Sequence, residues 1–158
     1  ADFSSRVDRL KVDKERGKIT MEGEDFSSVL DSLIWCKFLR KAFDDFYAES
    51  AAIYEYVTGW EMTPGDLRRA GERISNLKKL FNIREGWERQ DDRLPPRILR
   101  ERLSTGVVQG AGLSAAELDM MIHSYYRARG WTNAGMIPNE KLEALGLSGI
   151  VGEPAMIS

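Results

Sequence analysis

One cysteine, Cys36, and one histidine, His123, are all that 158 residues offer of the side chains most used for metals and nucleophiles. A lone cysteine forms no internal disulfide. One Cys with one His also leaves no zinc site and no Cys–His pair of the usual kind within the chain. Charge of one sign is not in excess either: 23 Lys and Arg against 25 Asp and Glu give a net charge of −2. That balance argues against nucleic acid or an anionic membrane surface as partner. Apolar runs are only a few residues long, far below a bilayer span. The opening "ADFSSRVDRL" carries charges where a signal peptide needs an apolar core. With a single cysteine, this makes a reducing cytoplasm the expected compartment. The chain starts on Ala1 without an initiator Met, as an excised piece of a longer polypeptide would.

What is present is ordinary globular material. Hydrophobic residues make up 42% of the chain, enough to build one buried core without staples. The first twenty-odd residues are the hardest to read: a short helix near Arg6 to Leu10 is expected, with turns at Gly17 and Gly23. Helical spacing of Phe26, Val29, Leu30 and Leu33 then predicts a helix over 25–34. A second is expected over 42–57, its inner face carrying Phe43, Phe46, Tyr47, Ile53, Tyr54 and Val57, stopped by Gly59. "TPGD" opens the clearest one, over 64–82, with Thr63 as cap, Pro64 in the first turn and Asp66 at the positive end of the dipole. Its apolar stripe comprises Leu67, Ala70, Ile74, Leu77, Leu80 and Phe81.

"NIREGWERQDDRLPPRIL" has no helical or strand period and is expected to be a long loop, with Pro95–Pro96 opposing regular structure. "SAAE" is a capping box that starts a helix over 115–129, lined by Leu118, Met121, Ile122 and Tyr125 and ended by Gly130. A short last helix follows, capped by Asn139. The fold class is therefore all-α: an irregular helical domain with long loops. It divides into an N-terminal segment (1–23), a helical domain (24–147) and a tail (148–158).

Few constellations for chemistry survive this reading. His123 falls opposite the apolar stripe of its helix and reads as a solvated surface residue. The Arg and Asp residues of the long loop read as partners for backbone groups that no helix pairs. Asp31 is less ordinary, because a carboxylate at a helix C-terminus opposes the dipole, and it stands five residues before the lone cysteine. From composition alone Cys36 reads as a buried core thiol. The alternative, one member of a site completed elsewhere, stays open.

Three stretches carry a resemblance: "DSLIWCKF", "RISNLKKLFNIREGWERQDDRLPPRI" and "YYRARGWTNAGMIPNEKLEALGL". Together, in this order, they resemble the C-terminal part of the tungsten-containing aldehyde ferredoxin oxidoreductase family, over about 17–147. The resemblance implies a three-domain enzyme with a β-rich base and two mostly helical domains covering a metal, tungsten or molybdenum, held by two pterin dithiolenes. A 4Fe-4S cluster lies beside one pterin. The middle domain supplies three cluster cysteines, and the last supplies the fourth in a pattern Asp-x-x-Gly-Leu-Cys. Asp31 matches the aspartate of that pattern, which hydrogen-bonds the pterin, and Cys36 matches the fourth cluster ligand. Ile34 and Trp35 stand where the pattern has Gly and Leu. The family's acid–base histidine lies upstream of Ala1, so His123 does not inherit that role.

The resemblance thus implies the C-terminal, cofactor-covering domain of an enzyme that oxidises an aldehyde to a carboxylate and passes electrons through the cluster to ferredoxin. Alternatives are a same-family reductase acting on an acyl-thioester or aromatic substrate, or a stand-alone helical interaction module. The expected partners are the remaining domains of the same enzyme and ferredoxin. A homodimer is a further expectation from an apolar patch near Trp35 and Phe38. The isolated chain is expected to be inactive and to hold neither tungstopterin nor cluster.

Overall fold

The computed structural model describes residues 12–105 and 109–150. The expected short helix at 6–10 and most of the tail lie outside the described residues. The rest is helical, with no strand among the described residues: α1 (Arg16–Ser32), α2 (Phe46–Thr58), α3 (Pro64–Arg84), α4 (Pro96–Arg100), α5 (Ala115–Arg129) and α6 (Asn139–Ala144), with 3-10 turns at Lys37–Lys41 and Arg89–Asp91. Among the described residues no helix is long and apolar enough to cross a membrane.

Local signals explain the boundaries. At the start of α3, Thr63 accepts the Asp66 N–H while the Asp66 carboxylate accepts the Thr63 N–H. Ser114 and Glu117 repeat this exchange at the start of α5. In both, the hydrogen bonds from the hydroxyl partner hold the carboxyl below its ordinary range. Gly59 and Gly130 end α2 and α5 in the left-handed conformation, as expected. The capping residue of α6 is Pro138 rather than Asn139, which is already helical. Pro96 does not exclude regular structure: it occupies the first position of α4, where its missing N–H costs nothing.

The largest departure is in α1, which starts at Arg16 instead of 25 and runs through both Gly17 and Gly23. Gly17 is not a turn residue. A Cβ there would collide with the backbone of Ser124 and Tyr125, so its absence lets α1 and α5 meet closely. Gly71 does the same between α1 and α3, since a Cβ on it would lie 2.6 Å from the Asp25 carbonyl oxygen. These two contacts make α1 the central helix, packed against both α3 and α5, while α2 packs on α3.

Val29, Leu30, Phe46, Ala51 and Leu67 form the apolar core, flanked by Phe26, Trp35 and Phe43. Phe46 sits 4.5 Å from Phe26 and 5.6 Å from Phe43 between ring centroids, and each buried Phe or Leu stabilises by about 1.5–3 kcal/mol. The expected stripes are only partly the buried ones. Val57, Leu77 and Phe81 are exposed, whereas α3 buries Asn76 and Lys79 and α5 buries Tyr126 and Arg129. The reason is that the inner faces of α3 and α5 are filled by polar side chains that find partners there.

Arg129 is the principal case. Its side chain is 1% exposed and donates to Asp25 at 2.6 Å and Glu24 at 2.7 Å. Ser75 of α3 donates to the same Asp25 oxygen at 2.7 Å, so α1, α3 and α5 converge on one carboxylate. Burial opposes the Arg129 charge, but its hydrogen bonds to Asp25 and Glu24, with the attraction of Tyr125, outweigh it and hold its pKa above the ordinary value. Truncating Arg129 strands Asp25 inside the protein. Arg129→Ala is expected to cost about 3–5 kcal/mol in urea denaturation. Glu24→Gln, at a carboxylate about half exposed, is expected to cost about 1 kcal/mol or less.

Candidate functional site

The segment that joins α1 to the 3-10 turn holds both residues singled out by the sequence. Leu33 caps α1, and the chain then reverses through a Schellman motif. The Trp35 N–H donates to the Leu30 carbonyl at 3.0 Å and the Ile34 N–H to the Asp31 carbonyl at 3.2 Å. This motif requires a left-handed residue, and Ile34 supplies it with φ +58°, the one positive-φ residue other than glycine among the described residues. A β-branched side chain is poorly suited to that conformation. The Gly of the Asp-x-x-Gly-Leu-Cys pattern falls on this position, so the helix stop alone is a reason for glycine there.

The turn sends neighbouring side chains in different directions. Trp35 folds back toward the core and meets the Phe43 ring edge-on at 5.3 Å, with its indole N–H buried and unpaired. Ile34 and Phe38 project into solvent, 91% and 93% exposed. Cys36 caps the 3-10 turn, its carbonyl accepting the Leu39 N–H at 2.9 Å. Its thiol is free and exposed, which overturns the reading of Cys36 as a core thiol. Asp31 is also exposed. Among the described residues its only ion-pair partner is Lys37 at 3.9 Å, a loose surface contact worth at most about 1 kcal/mol. Asp31 and Cys36 thus flank one rigid turn, each open to solvent. His123 is half-exposed and sits against Asp119 on its own helix, remote in role from this turn.

Asp31 also lines a wide, open groove of about 1720 Å³ between α1, α3 and the chain that follows α3. Arg and Asp of the "REGWERQDD" loop act as structural partners, but mostly of side chains instead of the backbone groups expected; among the described residues only Asp91 accepts a backbone N–H, that of Glu88, at 2.8 Å. Asp92 accepts the Trp87 indole N–H at 3.1 Å and the Tyr126 hydroxyl, and Arg89 pairs with Asp119 at 2.6 Å. Burial, and then the bond to Asp92, raises the Tyr126 pKa. Lys79 also lines the groove, and sequence reasoning missed it. The signal lay in the apolar pattern of α3, which places charged Lys79 one position before Leu80 on a face that had to be partly buried.

A family model described as "Aldehyde ferredoxin oxidoreductase, domains 2 & 3" matches residues 2–147. The chain belongs to the aldehyde ferredoxin oxidoreductase family. It is 34% identical to the tungsten-containing aldehyde ferredoxin oxidoreductase of Pyrococcus furiosus, over 92% of this chain and 24% of that protein. The Thermococcus kodakarensis protein of the same description is 32% identical over the same shares. An aliphatic sulfonate oxidoreductase, WOR-like subunit, of Pyrococcus furiosus is 30% identical over 79% of this chain and 20% of its own length. The fold is also that of a chain in the active-site complex BamBC of benzoyl coenzyme A reductase, with a TM-score of 0.68 and 23% identity over 93% of this chain and 21% of that one. The chain therefore spans about a quarter of the length of the curated relatives it matches.

Two substitutions check the geometry of the turn. Ile34→Gly relieves left-handed strain and gives back part of the gain through a freer unfolded chain. It is expected to stabilise by about 1 kcal/mol in chemical denaturation. Cys36→Ala removes an exposed side chain and is expected to change stability by about 1 kcal/mol or less.

Proposed function

We propose that this chain is the C-terminal, cofactor-covering part of a cytoplasmic tungstopterin oxidoreductase that converts an aldehyde to a carboxylate. Cys36 provides one thiolate ligand of a 4Fe-4S cluster, and Asp31 hydrogen-bonds a pterin. The observation that carries the proposal is the turn itself: a lone free thiol and an almost unpaired carboxylate are both held open to solvent on one helix end.

The donor set fits this role. A carboxylate can accept two N–H bonds from an aminopyrimidine edge, a bidentate and charge-assisted contact. A thiolate is the usual soft ligand of cluster iron. Among the described residues no group of three or more His, Cys, Asp or Glu could hold a metal ion, so in this reading the other cluster ligands come from elsewhere in the enzyme. When bound, the metal centre and cluster supply the two-electron redox chemistry, and the electrons leave to ferredoxin.

The work of this chain is to orient and to exclude. The Schellman turn fixes where Asp31 presents its oxygens relative to the Cys36 thiol. Lys37 offsets the negative charge that the Cys36 thiolate and Asp31 would otherwise concentrate there. Ile34 and Phe38, exposed in this chain, pack in the proposal against the remaining domains and keep water from the cofactors. Taken alone, the chain is inactive in this reading. Identity to the tungsten-containing aldehyde enzymes over 92% of the chain favours aldehyde oxidation over the sulfonate or acyl-thioester chemistry of more distant members.

Metal analysis of the full-length enzyme tests the two assignments separately. Cys36→Ala is expected to lower iron per chain and weaken the visible cluster absorption. Asp31→Asn should leave iron in place and lower tungsten and pterin retention, because an amide offers one acceptor atom where a carboxylate offers two. Iron content unchanged in the Cys36 variant would remove the ligand assignment.

A further inference from the structure

Lys79 is 7% exposed, yet it makes neither a hydrogen bond nor an ion pair with any described residue. Its ammonium lies over the Trp87 ring, with the Trp131 and Tyr126 ring centroids 5.1 and 5.7 Å away. Aromatic faces attract a cation, but they supply no lone pairs for its three N–H donors. Burial disfavours the Lys79 charge, Asp92 offsets this in part, and Arg89 repels it; the balance brings its pKa down to about 8. Asp92 makes its hydrogen bonds to Trp87 and Tyr126. This ammonium has a cage but no direct ion pair among the described residues.

The open side of the cage is the groove between α1 and α3. On the α3 wall, Lys78 and Asn82 stand beside Lys79, and neither side chain has a partner among the described residues. Opposite them, α1 contributes Thr20, Gly23 and Ser27, with Glu24, which is paired to Arg129, and Asp31, which is near Lys37. Nothing lies within 4 Å of where a Gly23 Cβ would be, so the wall is open at that point. Donors without a partner therefore gather on α3 around the Lys79 ammonium, facing small side chains at Thr20, Gly23 and Ser27 with room for a ligand.

We propose that this groove binds an oxyanion, the carboxylate or phosphate group of a small ligand, with Lys79 as its ion-pairing residue and Lys78 and Asn82 as adjoining donors. The ligand completes the hydrogen bonding that the aromatic cage leaves open. Asp31 lines the same groove, but the oxyanion contacts proposed are to Lys79, Lys78 and Asn82 alone, so Lys79→Met tests this site separately from the cofactor assignment.

Titrating the full chain with acetate and, in parallel, inorganic phosphate tests it, followed by tryptophan fluorescence and by the NMR signals of the Trp87 indole and Lys79 side chain. Saturable binding of either probe at about pH 7 is expected, with Lys79→Met abolishing it and Lys78→Met weakening it a few-fold. Response to acetate alone or phosphate alone identifies which oxyanion the groove prefers. Acetate keeps its charge at alkaline pH, so it isolates the lysine. With a Lys79 pKa of about 8, acetate affinity should fall about thirtyfold between pH 7 and about pH 9.5, whereas an ordinary lysine would lose only about a tenth. Bound acetate should also raise the Lys79 pKa, a readout of the native chain that stands even if the methionine variant does not fold. Absence of binding by both probes, binding kept in Lys79→Met, or affinity flat across this pH range would each overturn the proposal.

Discussion

The guanidinium of Arg129, buried between two carboxylates of α1, is the contact on which the arrangement of the helices depends. A buried charge tolerates little displacement, because losing one partner exposes it to the full cost of desolvation. Arg129 therefore fixes α5 on α1 at Glu24 and Asp25, and the Ser75 hydroxyl draws α3 to the same carboxylate. Glycine makes this geometry attainable. Gly17 and Gly71 remove the two Cβ atoms that would hold α1 away from α5 and from α3. Tyr125 closes the cluster, donating to Glu24 and accepting from Arg129, and burial followed by the bond to Glu24 raises its pKa.

A second polar layer lies further along α3. Asn76, fully buried, accepts the Trp131 indole N–H at 2.8 Å and donates to the Glu72 carbonyl. Asp92 joins Trp87 to Tyr126, and Lys141 of α6 reaches back to Glu72 at 2.5 Å. The long loop after α3 is thus held by side-chain hydrogen bonds and aromatic faces instead of a ladder of backbone bonds. This explains how a stretch without periodicity is ordered. Lys79 stands apart in this layer because its ammonium lies over the Trp87 ring and makes no hydrogen bond to a described residue.

The clamp also bears on the function. α1 is held from Gly17 to Leu30, and its C-terminal turn packs Leu33 and Trp35 on the core while Asp31 and Cys36 stay exposed. An exposed carboxylate at the negative end of a helix and a strained isoleucine beside it both oppose stability. Their coincidence at one turn, next to two almost fully exposed apolar side chains, is the mark of a surface shaped for contact with something else. In the function proposed above, the remainder of the enzyme occupies that position.

Short-range chemistry was readable from the chain. Thr63 with Asp66 and Ser114 with Glu117 announce helix starts because each exchange involves residues three apart. Gly59 and Gly130 announce stops through their own backbone freedom. Asp31 and Cys36 were visible as a pair because they lie five residues apart and match a pattern. What the sequence did not show depends on residues far apart in the chain. Gly17 looks like a turn residue until Tyr125, more than a hundred positions away, supplies the reason for a bare backbone in a helix, whereas nothing lies near a Cβ on Gly23. Arg129, Asn76 and Lys79 look like surface residues in a one-dimensional pattern, because periodicity registers polarity and cannot register a distant partner. The exposure of Cys36 likewise followed from the left-handed turn at Ile34, which directs Trp35 inward and leaves the thiol outside. Local hydrogen bonds and backbone preferences are written in neighbouring residues; burial of charge is decided only when the helices meet.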